Sequence, residues 1–508
     1  MGTLSDISTS DIKSMDILKD AASTAIYGSR GANGVIMITT YKGVKGQDPK
    51  ISFNSYVSFK DPIKYPLMNA SELVALREIS NKYPNIYYGD EQQGVNTDWQ
   101  DLFYRTGITQ NYEMSVNGGT QNGSYSFGVN YMDDEAVVPT QGFQRIGARA
   151  AIDQNFGKYV RVGFNSNSSY NTRDGIQVSL TSILPMSPLI SPYNESGELR
   201  RTGQMPQDTY YIWSRERLED LYASGQYIGE EKSFASYNAA YLEVQIPGIE
   251  GLLYKLSGGF NFRQSNAGTF TGTGVGSDNV ASPNNAVTRE NRSTRWTVEN
   301  LLTYDRTFSE KHRLNIVGLY SAEQDVNIGQ VLSANNVPNE KFLYYNIGAS
   351  NINDITIPTG TYTKTGLLSY MGRIMYSYDD KYMFSAAVRS DASSRLAEGH
   401  QWHTYPAVSI GWNIHKENFM YGTRHWLDEL KLRVGYGETS NQAIAPMRPL
   451  DVSTASTTTS ATATIRLDTM CLPCLIPSSD GSSPAPGTTD WTTRSSRAGC
   501  AVPSSTTL

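Results

Sequence analysis

The residues best placed to do chemistry lie in residues 11–40, DIKSMDILKDAASTAIYGSRGANGVIMITT, where Gly28, Gly31 and Gly34 recur at a spacing of three around Arg30. Glycines beside a cation suggest a phosphate cradle. Such cradles run strand, glycine loop, helix, so that helical N–H groups face the anion. Here a helix precedes the glycines and a strand follows, with no Lys-Ser or Lys-Thr pair after them, so the spacing fits a compact turn in a small α+β unit. Elsewhere the inventory is thin. His312, His400, His403, His415 and His425 are scattered, and although His400 and His403 flank Trp402, two ligands do not make a metal site. Cys471 and Cys474 form CLPC without a second pair or a nearby His, and no GxSxG elbow is present. The chain therefore reads as a protein without catalytic residues, cofactor or metal. The side chains most suited to a ligand are loop aromatics, Tyr193, Tyr210, Tyr211, Trp213, Tyr222 and Tyr227, set among Gln, Asn and Arg. Such rings suit sugars or peptides. They equally suit packing a long loop against itself. Tyr344 and Tyr345 are weaker candidates.

The elements that must position these residues follow from period and composition. Asp20 caps a two-turn helix through Ile26, Gly28 ends it, and Val35, Met37 and their neighbours read as a buried strand. A short strand around Met15 to Leu18 precedes the helix. Then 508 residues with 44 Gly, 33 Tyr and only 39% apolar side chains point away from a helical protein. No run approaches the ~18 apolar residues of a membrane helix. A net charge of −6 argues against nucleic acid as a partner. Period-two segments recur near residues 51, 111, 124, 143, 158, 236, 253, 294, 312, 367, 381, 405 and 430. Short turns (residues 119–123, 153–158, 247–251 and 378–381) alternate with long excursions (172–234, 264–293 and 322–365). That wiring belongs to membrane barrels. One helix is expected at residues 69–81, capped by Ser71, and Asp379 with Asp380 makes a tight hairpin turn.

Two runs carry a family resemblance. LKDA at residues 18–21 with Ala25, Ile26, Tyr27, Gly28, Arg30, Gly31 and Gly34 of AIYGSRGANGV is similar to the end of the plug domain in TonB-dependent transporters of the SusC/RagA family. YMGRIMYSYDDKYMFSAAVRSDASSR, YPAVSIGW and LKLRVGYGETSNQAI resemble that family's middle-to-late barrel, with Ala392 and Leu396 standing where the family usually has Gly and Phe. The resemblance implies an all-β fold: the C-terminal part of an α+β plug (residues 1–46), then an incomplete transmembrane antiparallel β-barrel (47–450). It also implies outer-membrane lipid, a TonB energy-coupling complex and a SusD-like surface lipoprotein as partners, and import of an oligosaccharide or oligopeptide. Within it, plug Arg30 needs a carboxylate, and Glu299 is one candidate. The opening MGTLSDISTS lacks a secretory signal, so the chain is expected to start inside a longer protein. Residues 451–508, rich in Ser, Thr and Pro, read as a non-barrel tail with a shifted reading frame. A passive porin or adhesin barrel and a soluble β-rich binding protein are the alternatives.

Overall fold

The computed structural model describes residues 12–18, 34–80, 82–175, 178–206, 208–423, 425, 427–440, 457–469 and 501–507. The helix and glycine loop expected at residues 20–31, including Ala25, Ile26, Tyr27, Gly28, Arg30 and Gly31, lie outside them. The strands on either side pair as an antiparallel hairpin: β1 (Ile12–Leu18) and β2 (Val35–Thr40), with Met15 opposite Ile38. Gly34 opens β2 at φ +91°, and a Cβ there would sit 3.2 Å from the Leu18 carbonyl oxygen. Only glycine takes that conformation without strain.

After the hairpin the chain lays down one antiparallel meander. Its strands are β3 (Lys50–Lys60), β4 (Gly107–Gly119), β5 (Gly123–Glu135), β6 (Gly142–Phe156) and β7 (Val160–Asp174). β8 (Thr202–Gln204) and β9 (Thr209–Tyr211) form a separate small hairpin in a loop. The meander resumes with β10 (Tyr227–Gln245), β11 (Leu252–Thr271), β12 (Asn285–Phe308), β13 (His312–Asn335) and β14 (Ile355–Tyr378). It ends with β15 (Tyr382–Ser393), β16 (Trp402–Asn413), β17 (Leu427–Ser440), β18 (Thr457–Thr469) and β19 (Ala501–Thr507). Each strand pairs with the next in one fifteen-stranded sheet, with β7 beside β10. All thirteen period-two segments are strands of it.

Burial along these strands is inverted relative to a water-soluble protein. On β5 Phe127 and Val129 are 44% and 57% exposed, whereas Ser126 and Asn130 flanking them are buried. On β4, Thr109, Asn111 and Glu113 are buried while Tyr112 and Met114 face out. On β14, Leu368, Tyr370, Ile374, Tyr376 and Tyr378 face out. The ten-residue step from Leu368 to Tyr378 is about 34 Å of strand. At a tilt near 40° that is about 25 Å of height, the apolar band of a membrane barrel. Rings mark its ends: Tyr320 packs on Tyr370 and Tyr370 on Trp402, and Tyr378, Tyr382 and Trp412 stack in sequence. Polar groups on the outer face bond to one another, Ser166 donating to Asn238 at 2.7 Å and the Tyr254 hydroxyl to Asn300 at 2.7 Å. Hydrocarbon offers no other partner. The inner face is ionic, with Arg161 on Asp153, Arg295 on Asp325, and Arg389 on Asp391 and Ser369. No helix among the described residues is long and apolar enough to cross a membrane.

Three expectations change. β12, β13 and β14 have 24 residues each, far more than the ~10 that span a bilayer. The long excursions therefore shrink to residues 175–226, 272–284 and 336–354, and Trp402 and His403 belong to a strand. Beyond the bilayer both strand faces meet water, so polar residues fill both and the alternation fades although pairing continues. The helix Ala70–Ile79 is capped by Asn69, not Ser71, because Asn69 and Glu72 bond each other's backbone N–H in a capping box. Finally, the sheet passes the boundary drawn at residue 450: β18 pairs with β17 and β19 with β18. Thr-rich sequence suits strand pairing even without an alternating pattern.

The inverted faces give opposite outcomes for one substitution at adjacent positions. Ile374→Arg, facing out, should cost about 2–4 kcal/mol of folding free energy in lipid vesicles. Met375→Arg, facing in, should cost under about 1 kcal/mol, read by urea titration of heat-modifiable gel mobility.

Candidate functional site

The strand ends divide into two sides. On one, tight turns close the hairpins, as at Asp379 and Asp380, both at positive φ, the two-residue arrangement that matches strand twist. The segment leaving β2 is fastened on this side. Gly46 N–H donates to the Thr120 carbonyl and Gly119 N–H to that of Gln47, both at 2.9 Å, and Arg149 on the inner face donates to the Tyr41 carbonyl. A Cβ on Gly43 would collide with the Tyr125 and Gly118 carbonyls, so the segment lies flat against the wall.

On the other side, residues 61–106 and 175–226 fold together. Helix Trp99–Phe103, capped by Asp98, inserts Trp99 and Phe103 into a core with Ile183, Ile190, Ile212, Trp213 and Leu218. Helix Arg215–Ala223 closes it, capped by Ser214. Hydrogen bonds cross between the loops: Trp99 Nε1–H to the Ser187 carbonyl at 2.9 Å, Thr97 N–H to that of Pro188 at 2.8 Å, and Gln92 N–H to that of Leu189 at 2.8 Å. Arg217 donates to four carbonyls, those of Leu199, Arg200, Arg201 and Ile212. Arg77 and Glu91 form a buried bidentate pair, Nη2 to Oε1 at 2.8 Å, with the guanidinium against the rings of Tyr83 and Tyr88, which also touch each other edge to face. Burial pushes the Glu91 carboxyl up. Bonds from Arg77, Ser187 and the Tyr88 backbone outweigh it and hold the group below its ordinary range.

Four of the six loop aromatics converge, Tyr210 and Tyr227 packing against the core that holds Tyr211 and Trp213, and the other two do not join them. Tyr211 and Trp213 are buried, with ring centroids 4.9 Å apart, and Tyr227 packs on Trp213 at 5.3 Å. Tyr211 is also flanked by Arg201 and Arg217. Tyr193 and Tyr222 are exposed. Tyr344 is buried in a second loop cluster, donating to Glu230 at 2.9 Å, and Tyr345 lies open. Tyr210 alone of the six lines a cavity of about 680 Å³ between the two loops, whose walls include Leu67, Met68, Leu73, Met186 and Met205. These residues carry no sequence signal, each being an ordinary loop apolar residue; only the docking of loops ~100 residues apart in sequence brings them together. Arg77 and Glu91 carry no sequence signal either, being fourteen residues apart.

The depressed Glu91 pKa fixes the sign of a pH effect. The unfolded carboxyl, near 4.5, takes up its proton first as pH falls. The pair's contribution is thus complete above that value and disappears as pH drops through the lower folded one. Protection of the amides of residues 183–190, measured relative to their intrinsic exchange rates, should fall as pH drops below 4.5. Glu91→Gln should remove that pH step and destabilise the loop unit by about 3–5 kcal/mol at neutral pH, since it strands Arg77.

No family model matches the chain. TonB-dependent receptor P3 of Formosa agariphila is 31% identical over 460 residues, covering 87% of this chain and 43% of that protein. TonB-dependent receptor SusC of Bacteroides thetaiotaomicron is 28% identical over 468 residues, 87% of this chain and 44% of that one. The chain thus spans less than half the length of these curated relatives. Among solved structures, the RagAB peptide transporter superposes with a TM-score of 0.74 at 19% identity, over 90% of this chain and 57% of that one. Sequence likeness along most of its length and a shared barrel architecture agree: the chain is similar to TonB-dependent receptors, SusC among them.

Proposed function

We propose that this chain forms part of a plug-gated importer in the outer membrane, taking up oligosaccharides or oligopeptides too large to diffuse. The observation that carries the reading is the inverted sheet: apolar side chains out, ionic pairs in, with the hairpin's exit tied to the inner wall at the tight-turn side. In barrels of this wiring tight turns face the periplasm and long loops the exterior. The β1–β2 hairpin is then the last part of a plug (residues 1–46), within reach of a TonB energy-coupling complex. The loop unit is on the side from which substrate and a SusD-like lipoprotein would approach. A passive pore or adhesin has no use for such a hairpin.

The test is fractionation followed by conductance. The folded protein should partition with outer-membrane lipid and hold a planar bilayer closed, and deletion of residues 12–40 should open a steady conductance. Recovery of folded protein in the aqueous fraction would overturn the membrane reading, and an open pore in the unaltered protein would overturn the gate.

A further inference from the structure

The outward face of the sheet is not evenly covered. From β11 to β15, Tyr254, Leu302, Gly318, Gly372 and Val388 are successive cross-strand partners in one row. The two glycines leave a dent in it, since a Cβ built on either meets no atom within 4 Å. Tyr320 and Tyr370, with ring centroids 5.2 Å apart, rise on one side of the dent, and Ile316 and Ile374, exposed on the same two strands, rise on the other. The result is a trough of about 420 Å³ whose lining reaches from Tyr254 to Val388 and Ser390. Four inter-strand steps make it roughly 19 Å long. The flanking rows, four residues apart along a strand, leave roughly 13 Å between their backbones, which the Tyr and Ile side chains narrow further. That excludes a helix of ~10–12 Å diameter. It admits an unbranched chain of roughly fifteen bonds, at the ~3.6 Å per three bonds of an extended backbone.

One end of the trough asks for a polar partner. Tyr254 is the third residue of β11 and stands beside the tight turn from β10. Its hydroxyl donates to Asn300 Oδ1, and this is the sole hydrogen bond of the Asn300 side chain among the described residues. Asn300 lines the trough, so its Nδ2–H groups sit on the outward face with no acceptor. An amide donor left unpaired against hydrocarbon is costly. At the opposite end Ser390 already pairs with Thr404, Oγ to Oγ1 at 3.0 Å. The demand for an acceptor thus falls near the tight turns, toward the edge of the bilayer where the polar region of a lipid begins.

We infer that this trough seats one acyl chain of a diacyl phospholipid from the leaflet on the tight-turn side, its ester carbonyl accepting from Asn300 Nδ2–H and its methylenes lying over Gly318 and Gly372. The inference rests on this face meeting lipid and goes beyond the importer reading, which needs no such seat.

The full chain, folded in detergent micelles, is mixed with dipalmitoyl phosphatidylethanolamine or with its dihexadecyl ether analogue, which lacks the carbonyls, and bound lipid is counted by native mass spectrometry. One ester lipid per chain should be retained, about tenfold more tightly than the ether, the worth of satisfying an otherwise unpaired amide. Asn300→Leu should erase that difference. Gly372→Phe, whose Cβ enters open space, should fill the trough and abolish the retained lipid with heat-modifiable gel mobility unchanged. If mobility changes, Gly318→Leu replaces it. Equal retention of ester and ether, no retained lipid, or retention indifferent to the filled trough overturns the seat. Loss of a dimer on filling the trough, with lipid unaffected, overturns it too and assigns the face to a second copy of the chain. Fractionation and conductance are read separately, so a closed, membrane-bound protein that retains no lipid overturns the seat and leaves the importer reading standing.

Discussion

Backbone N–H and C=O groups inside hydrocarbon have no solvent to turn to, and this constraint governs most of the chain. Fifteen strands answer it by pairing each with the next, so that the only backbone groups left to other partners lie at turns, loops and sheet ends. Once pairing is fixed, a period of two sorts side chains onto two faces. Phe127, Val129, Ile374 and Tyr378 can face out because lipid accepts them, and Arg161, Arg295 and Arg389 can face in because a carboxylate meets each one. The same sequence folded around a dry core would bury guanidinium groups and expose rings to water.

The long-loop unit obeys the opposite rule. Trp99, Phe103, Ile190, Ile212 and Leu218 are almost wholly buried, as in any water-soluble domain. One chain thus uses two solvents. Its strands put carbon on the outside for lipid, and its loops hide carbon from water a few turns away. The transition falls along single strands. On β12 the outer row Trp296, Val298 and Leu302 is apolar apart from Asn300, which pairs with the Tyr254 hydroxyl, while the stretch from Arg289 to Arg292 is charged or polar throughout.

The hairpin's exit and the docked loops are therefore held at opposite ends of the strands. Backbone bonds from residues 46 and 47 to the β4–β5 turn tether the hairpin at the tight-turn side. Bonds from Trp99 and Thr97 to carbonyls at residues 187 and 188 lock the loops at the other. Pro66, Pro185, Pro188 and Pro206 line the resulting cavity together with the thioethers of Met68, Met186 and Met205.

The amino-acid sequence by itself determined the strands, their order and the side each turn occupies. Period-two patterning is local, and a meander asks only that neighbours in sequence be neighbours in space. It also carries the resemblance to TonB-dependent transporters, through the AIYGSRGANGV and YMGRIMYSYDDKYMFSAAVRSDASSR runs. How far β12 to β14 continue past the bilayer was decided by pairing with neighbours already in place, because polar residues on both faces leave no period to read. That Tyr211 and Trp213 serve the loop core while Tyr210 reaches a cavity was also a tertiary outcome. So was the meeting of Leu73 with Met205, Trp99 with Ser187 and Arg77 with Glu91: contacts between loops depend on how two separate excursions dock, and no spacing within either one encodes it.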